Sequence, residues 1–317
     1  MSPRPIKVGI SACLLGDEVR YDGGHKRDAF LAGTFGRFVE WVPVCPEVEC
    51  GLGTPREPMR LVRAGRTTRL ITVKTKKDVT TRLDTYVQRR VSALRLEELS
   101  GYVFKKDSPS CGVARVKVYD SRGMMTRSGR GLFAAAVIEE MPNLPVEEEG
   151  RLSDSRLREN FVERVFAYWR LRSLFIEAWT VRELMRFHAV HKLILMAHSP
   201  EACRQLGGLT ARAAAHSRGE IARRYEELFM NALAIVATPR RHVNVLQHML
   251  GYFKTHLDRG SRAELLAAIE DYRRELVPLI VPMTLFRHHV RAHNVEYLAG
   301  QLYLEPHPKE LMLRNHV

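Results

Sequence analysis

Val8-Gly9-Ile10-Ser11-Ala12 is an apolar, strand-like run that gives way to a turn at Cys13, and the transition recurs twice. Trp41-Val42-Pro43-Val44 runs into Cys45, and Gly101-Tyr102-Val103-Phe104 is followed, after a short polar loop, by Cys111. In an open parallel sheet the carboxyl ends of the strands lie along one edge, and ligands bind in the crevice there. Three thiols far apart in sequence are therefore expected to converge on one spot. Convergent thiolates suit a soft metal or an iron–sulfur cluster, and a four-iron cube held by only three would keep one iron open.

Working outward, the first half alternates strand-like and helix-like stretches. A Gly/Asp-rich loop, Asp22-Gly23-Gly24-His25, leads into an expected helix from about Arg27 to Phe38, and Leu70-Ile71-Thr72-Val73 reads as a further strand. Between Asp78 and Leu99, Leu83, Val87, Val91 and Leu94 recur at helical spacing. This alternation predicts an α/β domain with a largely parallel sheet and Rossmann-like layering. Met141 to Gly150 holds two prolines, three successive glutamates and a glycine, and reads as a linker. Beyond it the pattern is helical. Ser153 or Asp154 can cap a helix carrying Leu157, Phe161, Val165 and Trp169, and Thr180 with Glu183 has the capping-box form. Further helices are expected around 218–237, 241–257 and 261–275. The expected division is an α/β domain over residues 1–145 and a mainly α domain over 153–317.

The 317 residues carry a net charge of +14, with 25 Lys and Arg against 19 Asp and Glu in residues 1–150, and 25 against 17 in 151–317. A basic surface spread over both halves attracts polyanions, nucleic acid first, although the same charges could serve solubility alone. No apolar run approaches the length of a membrane span. Met1-Ser2-Pro3-Arg4-Pro5 lacks the hydrophobic region of a signal peptide, so the cytoplasm is the expected compartment. There, five cysteines are reduced thiols or metal ligands rather than a disulfide framework.

Three loops in the first half concentrate glycine, proline and charge. They are Ser11-Ala12-Cys13-Leu14-Leu15-Gly16 with Arg20 to Lys26, Cys45-Pro46-Glu47 running on to Arg56, and Lys105-Lys106-Asp107-Ser108-Pro109-Ser110-Cys111-Gly112. Together they resemble the thiouracil desulfidase (TudS) family over about residues 5–140. The resemblance implies a 4Fe-4S cluster held by Cys13, Cys45 and Cys111, its fourth iron open to substrate sulfur. It also implies catalytic roles for Glu47 and Ser108, with Glu47 placed to activate water as general base. Cys50 is the rival ligand in the second loop, but the family's motif sets its cysteine before Pro-Glu. Simpler readings stand beside these. A lone buried cysteine is most often a small hydrophobe, and Glu47 could merely pair with Arg56. His25, Lys26 and Arg56 either bind substrate phosphate or hold loops together.

Residues 153–317 resemble the YbgA-like domain, through Phe187-His188-Ala189-Val190-His191-Lys192, Leu195 to Pro200, Asn244 to His248, and Gln301 to Pro308. Twelve of the 13 histidines lie beyond residue 187, but without cysteines or acidic clusters at zinc spacing. The fused arrangement resembles the tRNA 4-thiouridine desulfidases, in which the extra domain recognises tRNA. Arg182, Arg186, Lys192, Arg240, Arg241 and Lys254 could then grip phosphates. The expected function is iron–sulfur-dependent conversion of 4-thiouridine to uridine in tRNA. The rivals are the same chemistry on free thiouracil or thiouridine monophosphate, and a non-catalytic RNA-binding or metal-sensing protein with zinc on three thiols.

Overall fold

The computed structural model describes residues 4–65, 67–176 and 178–316; Met1, Ser2 and Pro3 of the N-terminal reading lie outside them. Two compact units divide at Ser153 and Asp154. In the first, a parallel sheet has the strand order β2 (Glu40–Val44), β1 (Lys7–Ser11), β5 (Gly101–Phe104), β8 (Val146–Glu148). The hydrophobic runs build it because both faces are covered: Val8, Ile10, Val44, Tyr102, Val103 and Phe104 are all buried. Gly9 lies opposite Tyr102, where a Cβ would come within 2.2 Å of the tyrosine ring. Helix α1 (Thr80–Leu96) buries Leu83, Val87, Val91 and Leu94, the four positions expected from their spacing, and α2 (Leu132–Glu140) buries Phe133 and Val137.

Three expectations need correction. The helix expected over Arg27 to Phe38 is a π-turn at Phe30–Thr34 running into a 3₁₀ turn at Phe35–Arg37. Gly36 there sits so near the Leu31 carbonyl and the Trp41 ring that the chain winds irregularly. The strand read at Leu70 to Val73 belongs to a second, mixed sheet, ordered β4 (Thr67–Thr72), β3 (Met59–Ala64), β6 (Val116–Tyr119), β7 (Met125–Gly129). In it β3 and β6 run parallel, while β3–β4 and β6–β7 are antiparallel. Finally, the expected linker at 141–150 contains β8. Tyr102, Val103 and Phe104 pair with Val146, Glu147 and Glu148, so a cut at residue 145 would strip an edge strand from the sheet.

The second unit is helical, from α3 (Ser155–Ile176) and α4 (Val181–His198) through α5 (Pro200–Ala211), α6 (Arg218–Ala234), α7 (Pro239–Leu250), α8 (Arg259–Arg273), α9 (Ile280–Ala292) and the short α10 (Glu296–Ala299). Asp154 Oδ1 accepts the Arg156 and Leu157 N–H groups at 2.9 and 3.0 Å, capping α3. The capping box of Thr180 and Glu183 opens α4. No helix among the described residues is long and apolar enough to cross a membrane.

Several histidines of this unit, His191, His242 and His307 among them, are buried in its core. Burial pushes His191 and His242 down to about 3 and His307 to about 4. The unfolded chain takes up a proton at each near pH 6.5 and the folded chain does not, so their contribution is present above pH 6.5 and is lost on acidification. Glu159, which burial raises to about 7, opposes this with one proton between pH 7 and 4.5. The lowered imidazoles outnumber Glu159, so stability should fall as the pH drops from 6.5 toward 4.5. The melting temperature of the full chain should therefore fall from pH 7 to pH 5.5; a constant value would mean that these imidazoles are free to protonate in the fold.

Candidate active site

Each cysteine loop leaves the carboxyl end of a parallel strand. After β1, a 3₁₀ turn at Ala12–Leu14 carries Cys13, whose carbonyl accepts the Lys26 N–H at 2.9 Å and so folds the Gly-rich loop back. After β2, Cys45 opens a helical turn, with the Glu49 N–H donating to its carbonyl at 2.9 Å and Glu49 Oε1 accepting its own N–H at 2.9 Å. Tyr86 of α1 donates to Glu49 Oε2 at 2.6 Å and ties that turn to the helix. After β5, Lys105 N–H donates to Ser11 Oγ at 3.0 Å, joining the third loop to the first. Gly131, at the start of α2, packs directly on the Ser110 carbonyl, where a Cβ would sit 2.5 Å away.

The three loops enclose one cavity of about 410 Å³, lined by Cys13, Cys45 and Cys111 together with Glu47, Ser108 and Arg56. Lys26 also lines it; His25 does not, and its Nδ1 instead accepts the Arg27 N–H at 3.2 Å in an exposed turn. Cys50 stays outside, directing its thiol to the Glu47 carbonyl at 3.3 Å, and Cys203 is buried in the helical unit. Among the described residues no three His, Cys, Asp or Glu side chains are close enough to hold a single metal ion. The thiols instead stand around a space, an arrangement that suits a group several atoms across.

The electrostatics fit such a group. Burial raises Cys13 to about 11, with Cys45 adding to it; burial also raises Cys45, and lifts Cys111 well above the ordinary thiol range with Glu47 contributing. Buried thiols resist ionising by themselves, whereas a bound metal cation deprotonates its thiol ligands outright. Arg20, Lys26, Arg56, Lys105 and Lys106 line the same cavity against two carboxylates, Glu47 and Asp107. That excess of positive charge offsets the negative charge of thiolates or of a substrate phosphate.

Glu47 is held on both oxygens. Arg56 donates to Oε2 from Nε at 2.9 Å and also from Nη2, and Ser110 Oγ donates to Oε1 at 2.8 Å. The ion pair weighed as the simpler reading of Glu47 is therefore present, with only 7% and 12% of the Arg56 and Glu47 side chains exposed. Ser110, fully buried, was not singled out by the sequence reading; its signal was only its place one residue before Cys111. Ser108 Oγ accepts the Ser110 and Cys111 N–H groups at 3.2 and 3.0 Å. With its lone pairs so engaged, the Ser108 hydroxyl keeps its proton to donate.

The chain was compared with known proteins. A family model described as 2-thiouracil desulfurase matches residues 8–149, and one described as a protein of unknown function (DUF1722) matches residues 192–308. The uncharacterized protein YbgA of Escherichia coli (strain K12) is 32% identical over 161 residues, which are 50% of this chain and 95% of that protein. A solved structure of the [4Fe-4S]-dependent thiouracil desulfidase TudS is 32% identical, covering 46% of this chain and 93% of its own, with a TM-score of 0.38.

Proposed function

Because the chain belongs to the 2-thiouracil desulfurase family and carries a YbgA-like DUF1722 domain behind it, we propose that it is an iron–sulfur-dependent desulfidase converting 4-thiouridine in tRNA to uridine and hydrosulfide. The observation that carries this reading is the convergence of Cys13, Cys45 and Cys111 with Glu47 on one cavity. These three thiols would hold a 4Fe-4S cluster. When bound, such a cluster supplies a Lewis-acidic iron with affinity for sulfur.

The chain's own residues do the rest. Water supplies the oxygen, the carbon–sulfur bond breaks, and sulfur leaves with the electron pair, so the conversion needs neither oxidant nor reductant. Glu47 Oε1 is the proton acceptor for that water, since Oε2 is committed to Arg56. Arg56 and Ser110 fix the carboxylate in place, and positioning of this kind is what makes a general base effective. Ser108 donates a hydrogen bond to the ring as the tetrahedral carbon forms. Lys26 and Lys106, at the cavity wall, are the phosphate partners. Anaerobic incubation with thiolated tRNA and free thionucleotides side by side, read by mass spectrometry of nucleosides, tests the assignment. A colourless, zinc-loaded protein inert on both would end it.

The competing substrate is a free thionucleotide, favoured by the fact that every lining residue of the cavity lies in the first unit. Exposed Arg182, Arg186, Arg240 and Lys254 support tRNA delivery by the helical unit. Arg241 Nη1 donates to the His198 carbonyl at 2.6 Å at the end of α4, which leaves its other guanidinium N–H groups for a phosphate. A chain ended at Ser153 keeps β8 and should remain active on small thionucleotides. Its turnover of tRNA should drop at least tenfold, with a shallower salt dependence of binding. Equal turnover of tRNA by the short and full chains would transfer the assignment to the small-molecule substrate.

A further inference from the structure

The second sheet has one buried and one open side. Leu61, Leu70, Val116 and Val118 are all buried on the inner side. Residues alternate along a strand, and the register sets Arg60 opposite Ile71, Arg69 opposite Val62, and Tyr119 opposite Met125 on the outer side. The four strands hold not one Asp or Glu; on the outer side stand Arg60, Lys117 and Arg127, with Arg69 paired to Asp78 at 3.1 Å. The Arg60 guanidinium lies 4.7 Å from the centre of the Tyr119 ring, and its buried Nε has no hydrogen-bond partner. It is held by an aromatic face rather than by an acid. Lys117 is exposed, and no carboxylate stands within ion-pair distance of it among the described residues.

Charge on an edge strand such as β7 can serve only to block sheet-to-sheet pairing. Here it extends onto the inner strands β3 and β6, and it joins an aromatic ring half open to solvent. The face reaches the cavity wall through Arg127. Arg127 of β7 donates at 3.2 Å to Asp107, a lining residue of the cavity.

We infer that this outer face binds the backbone of RNA, carrying the nucleotides that flank the base held in the cavity. Lys117 and Arg127 meet phosphates, and the Tyr119–Arg60 pair offers a surface on which a flanking base stacks. The helical unit is then not the sole contact with a polynucleotide substrate. The inference rests on the reading that the thiolated base belongs to RNA, and it names where that RNA leaves the cavity.

The test measures binding apart from turnover. Fluorescence anisotropy of a labelled, unmodified tRNA with the full chain, across a potassium chloride series, gives affinity and salt slope. The double variant Lys117→Glu, Arg127→Glu should bind at least tenfold more weakly, with the log–log slope shallower by about 1.5–2 as two phosphate contacts vanish. The neutral pair Lys117→Gln, Arg127→Gln should shift both in the same direction, less steeply, and serves if the reversed pair fails to fold. Tyr119→Phe should bind like the parent, and Tyr119→Ala about tenfold more weakly with its slope retained. Melting temperature should stay at the parent level in the glutamine pair, and turnover of free 4-thiouridine at the parent level in Lys117→Gln alone. Parent-like affinity and slope in the glutamine pair would overturn the inference, as would absence of tRNA binding by the parent. Weakened binding in a protein that binds tRNA without desulfurising it would leave this face standing and remove the proposed reaction.

Discussion

Cys13→Ala, Cys45→Ala and Cys111→Ala are each expected to abolish both the bound iron and all desulfidase turnover, while Cys50→Ala retains both. The difference follows from position. The three lining thiols face one cavity, and Cys50 is turned away toward the Glu47 carbonyl. Losing one of three protein ligands leaves a cluster with two, too few to retain it through purification. Iron and acid-labile sulfide per chain, measured after anaerobic purification, report the outcome independently of activity. Each variant should also keep its fold, because Cys13 and Cys111 are small buried side chains whose truncation to Ala removes only one sulfur atom. A full cluster in Cys45→Ala, together with its loss from Cys50→Ala, would reverse the assignment in the second loop.

Glu47→Gln should retain the cluster and lose about 10²–10⁴-fold in turnover, the range for removal of a general base. The amide preserves shape, and its single carbonyl oxygen can still accept from Arg56 while its NH2 group donates to Ser110 Oγ, but it cannot take the proton of water. Ser110→Ala should cost less than Glu47→Gln, since Arg56 still grips Oε2 while Oε1 loses its 2.8 Å partner. Ser108→Ala removes the hydroxyl that lines the cavity and also the cap on the Ser110 and Cys111 N–H groups. It should therefore lower turnover and loosen the third loop together. Near-parent turnover in Glu47→Gln, with iron content unchanged, would take the residue out of the proton path.

Much of this site was legible in the chain because each cysteine follows a hydrophobic run that must be buried. Val8 to Ile10 and Tyr102 to Phe104 are buried almost completely, and no local sequence choice competes with that burial. The capped helices were equally legible: Thr180 with Glu183 is a local device that works wherever the helix lies. What escaped depends on partners distant in sequence. β7 is rich in Thr, Ser and Arg, so its strand pairing shows no apolar alternation. β8 sits between Pro145 and Gly150, where proline, glycine and acid imitate a linker. Glu148 is nonetheless buried, because its Oε1 accepts the Val113 and Ala114 N–H groups at 2.7 and 3.3 Å. Ser110 escaped for the same reason, since its partner Glu47 lies 63 residues earlier.

The place of β8 also sets an order of assembly on the ribosome, where domains fold as units and the N-terminal one first. β1 and β2 emerge early and bring the first two cysteine loops together, and β5 adds the third. That third loop gains its last fastenings from behind: Glu148 holds Val113 and Ala114, two and three residues past Cys111, and Glu149 accepts Lys105 Nζ at 2.5 Å. Until residue 149 has left the exit tunnel, the loop of Cys111 lacks these last fastenings. Metal delivered before that moment meets an unfinished socket. The pocket of the three cysteines is thus completed by the last strand of the sheet, downstream of all three in the chain.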